Sequence, residues 1–433
     1  MKIQLLLFFL FLGGIATAQQ RFDSLESLFE FADQQSTDLI ISRIRETQAQ
    51  KSETATKWEI INPTVSLPAN FTYNTTLPVS VLPAEAFGGD PGENLEIRTG
   101  VPYTTNFSQN IDLQLVNPGG WSAYRLARIN EQLSTSNTQL QRQILQESIA
   151  EVYFNILTLE KQRESTNENL AISDSIFQLT EDKYQAGIVN QQSVNNARLT
   201  QLNNQQSLQQ IRYLVEDAYI TLKTLINLSP QEKIIVSNSA KKETAIQHER
   251  AQLNHATIEN KLLQQQYTLQ NYKRSKAYLY PTVSLYGGNS FQLNNQEFSV
   301  LNGDWITSNY VGVQLSINLP NASSLNNLQQ SKLDHKIASL ELEAERQDAA
   351  LEAERLNTNF AKAVDELELY DEMLQINEDT YEKNFNLYQE GLLPLDTLLD
   401  SYNNLIGAKY NFNAALIGID LAVAKIHINN TKY

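Results

Sequence analysis

The sequence predicts a mainly α-helical protein with a small β part, built as a duplicated helix-strand-strand-helix-helix unit. Long coiled-coil helices accompany four strands per chain, which contribute to a transmembrane β-barrel shared between chains. Three observations predict this. Short blocks recur in the same order in both halves; two stretches of more than sixty residues lack proline and glycine; four segments alternate apolar and polar residues.

The repeat comes first because it sets the frame for every element. Pro63-Thr64-Val65-Ser66-Leu67 recurs letter for letter as Pro281-Thr282-Val283-Ser284-Leu285. Ile111-Asp112-Leu113-Gln114-Leu115 answers to Val311-Gly312-Val313-Gln314-Leu315, and Tyr184-Gln185-Ala186-Gly187 to Tyr388-Gln389-Glu390-Gly391. One such match arises by chance; three in register mark a duplication. The expected division is a leader over 1–18, a first repeat over 19–228, a linker or equatorial segment over 229–248, and a second repeat over 249–433.

The chain opens with Lys2, an apolar run from Leu5 to Leu12, a Gly13-Gly14 break and Ala16-Thr17-Ala18. This is the order of a secretory signal peptide, too short in its apolar core to span about 30 Å of hydrocarbon. The mature chain is expected to start near Gln19, outside the cytoplasm.

Strands are expected at about 64–74, 106–117, 282–293 and 309–319, with odd-numbered positions apolar in all four. Val65, Leu67, Ala69, Phe71 and Tyr73 alternate with Thr64, Ser66, Asn70 and Thr72; Val311, Val313, Leu315, Ile317 and Leu319 alternate with Gln314, Ser316 and Asn318. Phe107, Ile111, Leu113 and Leu115, and then Val283, Leu285, Phe291 and Leu293, complete one greasy face. The Pro- and Gly-rich segment from Pro78 to Tyr103 is expected as a loop between the first two strands.

Unbroken helices are expected from Ser122 to Tyr184 and from about Asn321 to Tyr388, each roughly 95 to 100 Å long at 1.5 Å per residue. Gly187 and Gly391 end them at hairpin tips, about 184–192 and 388–395, and Pro394 begins the next helix. In the last helix Leu395, Leu398, Tyr402, Leu405, Phe412, Leu416, Ile419, Val423 and Ile426 step by three and four, missing only at Lys409. Ile211, Leu214, Ala218, Leu222 and Leu225 repeat this heptad seam in the first half.

Composition narrows the function. The formal net charge is −16, which argues against nucleic acid as a partner. No cysteine occurs, so neither disulfides nor a lipidated N-terminal cysteine holds the chain. His248, His255, His335 and His427 are scattered, and no catalytic, cofactor or metal constellation emerges, so the chain is not read as an enzyme. Amphipathic strands of this length suit a membrane barrel, but four cannot close one, since the smallest have about eight. The barrel must therefore be shared. The competing class is a secreted or periplasmic coiled-coil structural or adaptor protein, which leaves the four duplicated strands unexplained.

Taken together, Pro63 and Pro281 with their Pro-x-x-x-Leu entries, the Tyr-x-x-Gly tips, Ser27-Leu28-Phe29-Glu30-Phe31-Ala32 and the segment from Gly391 to Ser401 resemble the TolC family of outer-membrane efflux proteins. Phe87-Gly88-Gly89-Asp90-Pro91-Gly92 resembles a loop of its Bacteroidetes branch. The resemblance implies a homotrimer in the outer membrane lipid, with a twelve-stranded β-barrel and a hollow periplasmic α-barrel. It also implies an exit duct for exported small molecules or proteins. A periplasmic adaptor (membrane fusion) protein would grip the tips through Tyr184, Gly187, Tyr388 and Gly391. It would couple them to an inner-membrane pump of the resistance-nodulation-division, ABC or another class. By the same resemblance Asp400 lines the periplasmic mouth. The arginine-acid lock of some members is absent: Leu393 stands at the second tip, and no acid lies between Gly187 and Val215. Closure is expected to rest on Asn190, Gln191, Gln192, Asn195 and Asn196 with apolar packing.

Overall fold

A computed structural model describes residues 20–61, 64–237, 249–300 and 302–431. The signal peptide, Pro63, His248 and the latter part of the 229–248 segment lie outside the described residues. The elements, in chain order, are β1 (Gln20–Phe22), α1 (Leu25–Gln35), α2 (Thr37–Glu59), β2 (Thr64–Ser66), β3 (Ala69–Tyr73), β4 (Val79–Pro83), β5 (Asn94–Arg98) and β6 (Tyr103–Val116). They continue as α3 (Pro118–Gln185), α4 (Gln191–Leu225), β7 (Ile234–Val236), α5 (His255–Ala277), β8 (Thr282–Asn295), β9 (Trp305–Ser316), α6 (Ala322–Gln389) and α7 (Leu395–Asn430). The chain divides into two compact units, one of Met1–Glu46, Ser134–Lys261 and Glu341–Tyr433, the other of Thr47–Leu133 and Leu262–Leu340.

The first unit is a helical body closed by one parallel strand pair, β1 with β7, that the alternation pattern did not reveal because each strand has only three residues. Its main core joins Leu28, Ile149, Tyr153, Ile156, Leu222 and Ile226. Burying side chains of this kind supplies about 1.5–3 kcal/mol each, which is what makes helices of such length hold their partners. Ser24 caps α1 by accepting from the Ser27 N–H at 3.2 Å. Asp33 receives Arg43 on one carboxylate oxygen and Arg142 on the other, both at 2.6 Å, so it ties α1 to α2 and α3.

Both long helices run 68 residues; α6 keeps to the expected breaker-free stretch, whereas α3 starts four residues before the expected Ser122, with Pro118 in its first turn, where a missing N–H costs nothing, and Gly119 and Gly120 inside it. The seam of α4 differs from expectation by one position. Its buried residues are Ala197, Gln201, Asn204, Leu208, Ile211, Val215, Ala218 and Leu222, a strict alternation of four and three, while Leu214 is exposed. The sequence reading chose Leu214 over its neighbour Val215 because it lacked the polar seam members Gln201 and Asn204 that fix the phase. Among the described residues α7 is the one helix long and apolar enough to cross a bilayer. Its apolar side chains instead enter the cores through Leu398, Tyr402, Ile417, Ile426 and Ile428.

The second unit carries an antiparallel sheet in the order β2-β6-β8-β9, with β3 continuing the line of β2 along β6. The segment read as one strand over 64–74 is thus two pieces. Pro68 has no N–H to give the ladder, so β2 stops at Ser66 and β3 starts at Ala69, although the Pro68 carbonyl still accepts from the Ser108 N–H at 3.0 Å. The last strand is shifted from 309–319 to Trp305–Ser316, leaving Ile317 and Leu319 beyond it. Thr282 pairs with Ser316, and the next residue on β8's side would be Pro281, which cannot donate. The region from Pro78 to Tyr103 is not a plain loop: it holds a β4-β5 hairpin closed by a short 3-10 helix, Ala84–Phe87.

Candidate functional site

Two places are candidates for function, one in each unit. In the first unit the helical hairpins end in the same turn. Gly187 and Gly391 have φ of 77° and 78°, the left-handed conformation that L side chains resist. At each, the glycine N–H reaches back three residues, to Tyr184 or Tyr388, and the next N–H reaches back five, to Lys183 or Leu387. This doubly bonded cap satisfies carbonyls that the ending helix leaves open.

The side chains around the two turns are not equivalent. Tyr184 is exposed, whereas Tyr388 is 2% exposed and belongs to a core with Ile176, Ala197, Leu395, Leu398, Leu399 and Tyr402. Tyr388 therefore cannot offer a docking surface, which corrects the reading that paired it with Tyr184. Its hydroxyl shares a 2.8 Å hydrogen bond with Thr180, and the Lys183 Nζ sits 5.0 Å from its ring centroid. Lys183 is itself buried and donates to the Gln389 carbonyl at 3.2 Å, at the C-terminal end of α6 where a cation is favoured. Sequence reasoning missed Lys183; its place four residues before the turn glycine was the available signal.

Deeper in the same hairpins Tyr402 donates to the Asn169 carbonyl and accepts from Asn204 Nδ2 at 2.8 Å. Burial pushes its phenol well above the ordinary value, against the opposing effect of its bonds with Ser173 and Asn204. Burial likewise pushes Tyr381 up to about 12. Tyr402 thereby ties α7 to α3 and α4 by hydrogen bonds, and Tyr381 packs its ring against it at 5.9 Å between centroids.

The gate candidates lie as follows. Asn190 is the N-cap of α4, its Oδ1 accepting from the Ser193 N–H at 3.0 Å, so a helix-capping role occupies it. Gln192 is exposed, Gln191 donates to Asn195 at 3.2 Å, and Asn196 donates to Asp396 Oδ1 at 3.4 Å, linking the two hairpins. Asp400 is exposed in the second turn of α7, amid buried Leu398, Leu399 and Tyr402, with no hydrogen bond or ion pair among the described residues.

In the second unit the sheet has two unlike faces. Val65, Leu67, Phe71, Ile111, Leu285, Val311, Val313 and Leu315 are large, apolar and exposed on one of them. Toward the end of the sheet that holds Tyr73, Tyr103 and Trp305 this face carries paired rings: Tyr73 stacked on Tyr103 at 4.8 Å between centroids, Phe71 edge-on to Phe298 at 5.3 Å, and Phe107 tilted against Trp305 at 5.6 Å. The opposite face is mostly polar, with Ser108, Asn110, Asp112, Ser284 and Gln314, and carries Tyr286, Ile306 and Tyr310 among them. Among the described residues both sheet edges, β2-β3 and β9, are unpaired.

The sequence profile of a family described as "Outer membrane efflux protein" matches residues 28–228 and 247–422. A search of curated protein sequences found no match. Among solved structures, the outer membrane protein VceC of Vibrio cholerae is similar at 17% identity with a TM-score of 0.77, over 94% of this chain and 95% of that one. The CmeC outer membrane channel of Campylobacter jejuni is similar at 15% identity and a TM-score of 0.76, over 94% and 85%. The open state of the Neisseria gonorrhoeae MtrE outer membrane channel is similar at 14% identity and a TM-score of 0.67, over 94% and 88%.

Proposed function

Because the chain belongs to the outer membrane efflux protein family, we propose that it is the passive exit duct of a tripartite efflux or type I secretion system, a homotrimer whose cargo passes through chemically unchanged. The observation that carries this is the sheet. An amphipathic sheet with two open edges and one greasy, ring-bordered face is stable in hydrocarbon only if further copies pair those edges, because unsatisfied backbone groups cost several kcal/mol each there. Three copies give a closed barrel with the apolar face to lipid and the polar face to the lumen. The duplicated layout, with one repeat over 19–228 and the other over 249–433, supplies the strands and hairpins in pairs.

The helical hairpins then stand in the periplasm. Their tips, exposed at Tyr184 and at Ile188 and Leu392 beyond the turn glycines, meet a periplasmic adaptor that links the duct to an inner-membrane pump. Asp400 and the amides of Gln192 and Asn196 face the narrow mouth. Membrane fractionation tests the reading against a secreted coiled coil. The duct stays with the outer membrane after a high-salt wash, whereas release into the wash contradicts it.

A further inference from the structure

Asp112 is the one charged residue in β2, β3, β6, β8 and β9. It stands half-buried on the polar face of the sheet, and among the described residues it has no ion pair or hydrogen-bond partner. Its cross-strand partner is Tyr286, and the partner of Tyr286 on the next strand is Gly312. One step along the sheet the row reads Asn110, Gly288, Tyr310. Directly opposed residues have Cβ atoms about 4.5–5.5 Å apart, which sets Asp112 beside Tyr286, and the Tyr310 hydroxyl reaches across β8 to Asn110, the next residue along β6 on the same face as Asp112.

The two glycines explain how the rings lie. A Cβ at Gly312 would come within 2.7 Å of the Tyr286 ring, and one at Gly288 within 2.5 Å of the Tyr310 hydroxyl. Each tyrosine is therefore laid across the glycine of the neighbouring strand rather than standing away from the sheet. Tyr310 is pinned there by donating to Asn110 Oδ1 at 2.8 Å. The ring centroids are 6.0 Å apart, and the side chains remain 37% and 46% exposed, so their faces are open to whatever occupies that side. No other aromatic side chain stands on this face of the five strands.

We propose that Asp112, Tyr286 and Tyr310 form a subsite for organic cations, in particular quaternary or aromatic ammonium groups. An unpaired carboxylate attracts any cation. Two ring faces beside it favour one that is weakly hydrated and can lie against a π-system, since cation–π attraction grows when the cation sheds water. The inference rests on the polar face being the lumen, and in a three-copy barrel it places three such subsites at one level of the duct.

Block of potassium current in planar bilayers tests it, with the assembled trimer and benzyltrimethylammonium added from the side of the β4-β5 hairpin. Wild type is expected to be blocked by this cation and not by benzenesulfonate. Asp112→Asn, and Tyr286→Leu combined with Tyr310→Leu, should each weaken block roughly 5- to 20-fold, while Tyr310→Phe, which keeps the ring face, should not. An unblocked wild type, or equal block in all variants, overturns the subsite. Gln114→Cys separates the two levels of the argument. If a charged thiol reagent modifies it from the aqueous duct while the block is unchanged in the variants, only the subsite fails. If it is unreactive, the lumen assignment fails and the subsite with it.

Discussion

At the tips, one lysine on the first hairpin reaches the end of the second. Lys183 closes the end of α6 by donating to the Gln389 carbonyl and lies over Tyr388, so Lys183→Met should loosen both hairpins by about 1 kcal/mol, seen as earlier cleavage at the tips under limited proteolysis. Tyr402 gives a pH prediction with a definite sign. Its folded phenol holds its proton more tightly than the ordinary value of 10.0, so its contribution is fully present below that value. As pH rises above it the unfolded chain loses the proton first, and stability falls. Denaturation midpoints should be flat from neutral pH to that point and then drop, and a Tyr402→Phe protein should lose this part of the drop. Among the described residues Asp400 has no side-chain partner, so three copies at one mouth would repel one another and draw cations. Asp400→Ala should reduce cation selectivity and block by multivalent cations in planar bilayers; unchanged selectivity in an assembled trimer would move the gate to Gln192 and Asn196. These residues were legible only in part. Gly187 and Gly391 announce their left-handed turns, but nothing in the pattern distinguishes buried Tyr388 from exposed Tyr184, because their difference lies in what α3 and α7 place beside them.

Among the elements, the strands were readable by alternation and misjudged at their ends. Period two identifies which side chains share a face, and Val311, Val313 and Leu315 are exposed on the face it assigns. It is silent on where a ladder stops, which Pro68 and Pro281 decide by lacking a donor. The β4-β5 hairpin escaped because its turn residues mask two five-residue strands. The helices show the converse: their length followed from missing breakers, while the phase of α4 depended on buried Gln201 and Asn204, which a search for apolar residues skips. The face assignment makes a direct prediction. Arginine at Val313 should impair assembly by roughly 2–4 kcal/mol if it faces lipid near the midplane, while arginine at Gln314 should be tolerated; trimer yield after refolding into detergent measures both. Equal yields would mean that the lipid side is wrongly assigned.

For the whole molecule, the repeat in sequence, the paired hairpins and the open-edged sheet converge on one requirement, that several copies complete each other. Family membership and the likeness of fold to outer membrane channels agree with it. The loop with the β4-β5 hairpin joins β3 to β6 at the end of the sheet opposite the strand ends that lead from α2 and into α3. A tag at Gly89 should therefore be reached by antibody on intact cells, and a hidden tag on correctly assembled protein would invert the topology. The claim on which the rest depends is the shared barrel, and the native mass of the particle extracted from outer membranes in mild detergent tests it most directly. The account predicts a mass of three chains with the strands protected from hydrogen exchange; a folded, membrane-inserted particle of one chain would contradict it.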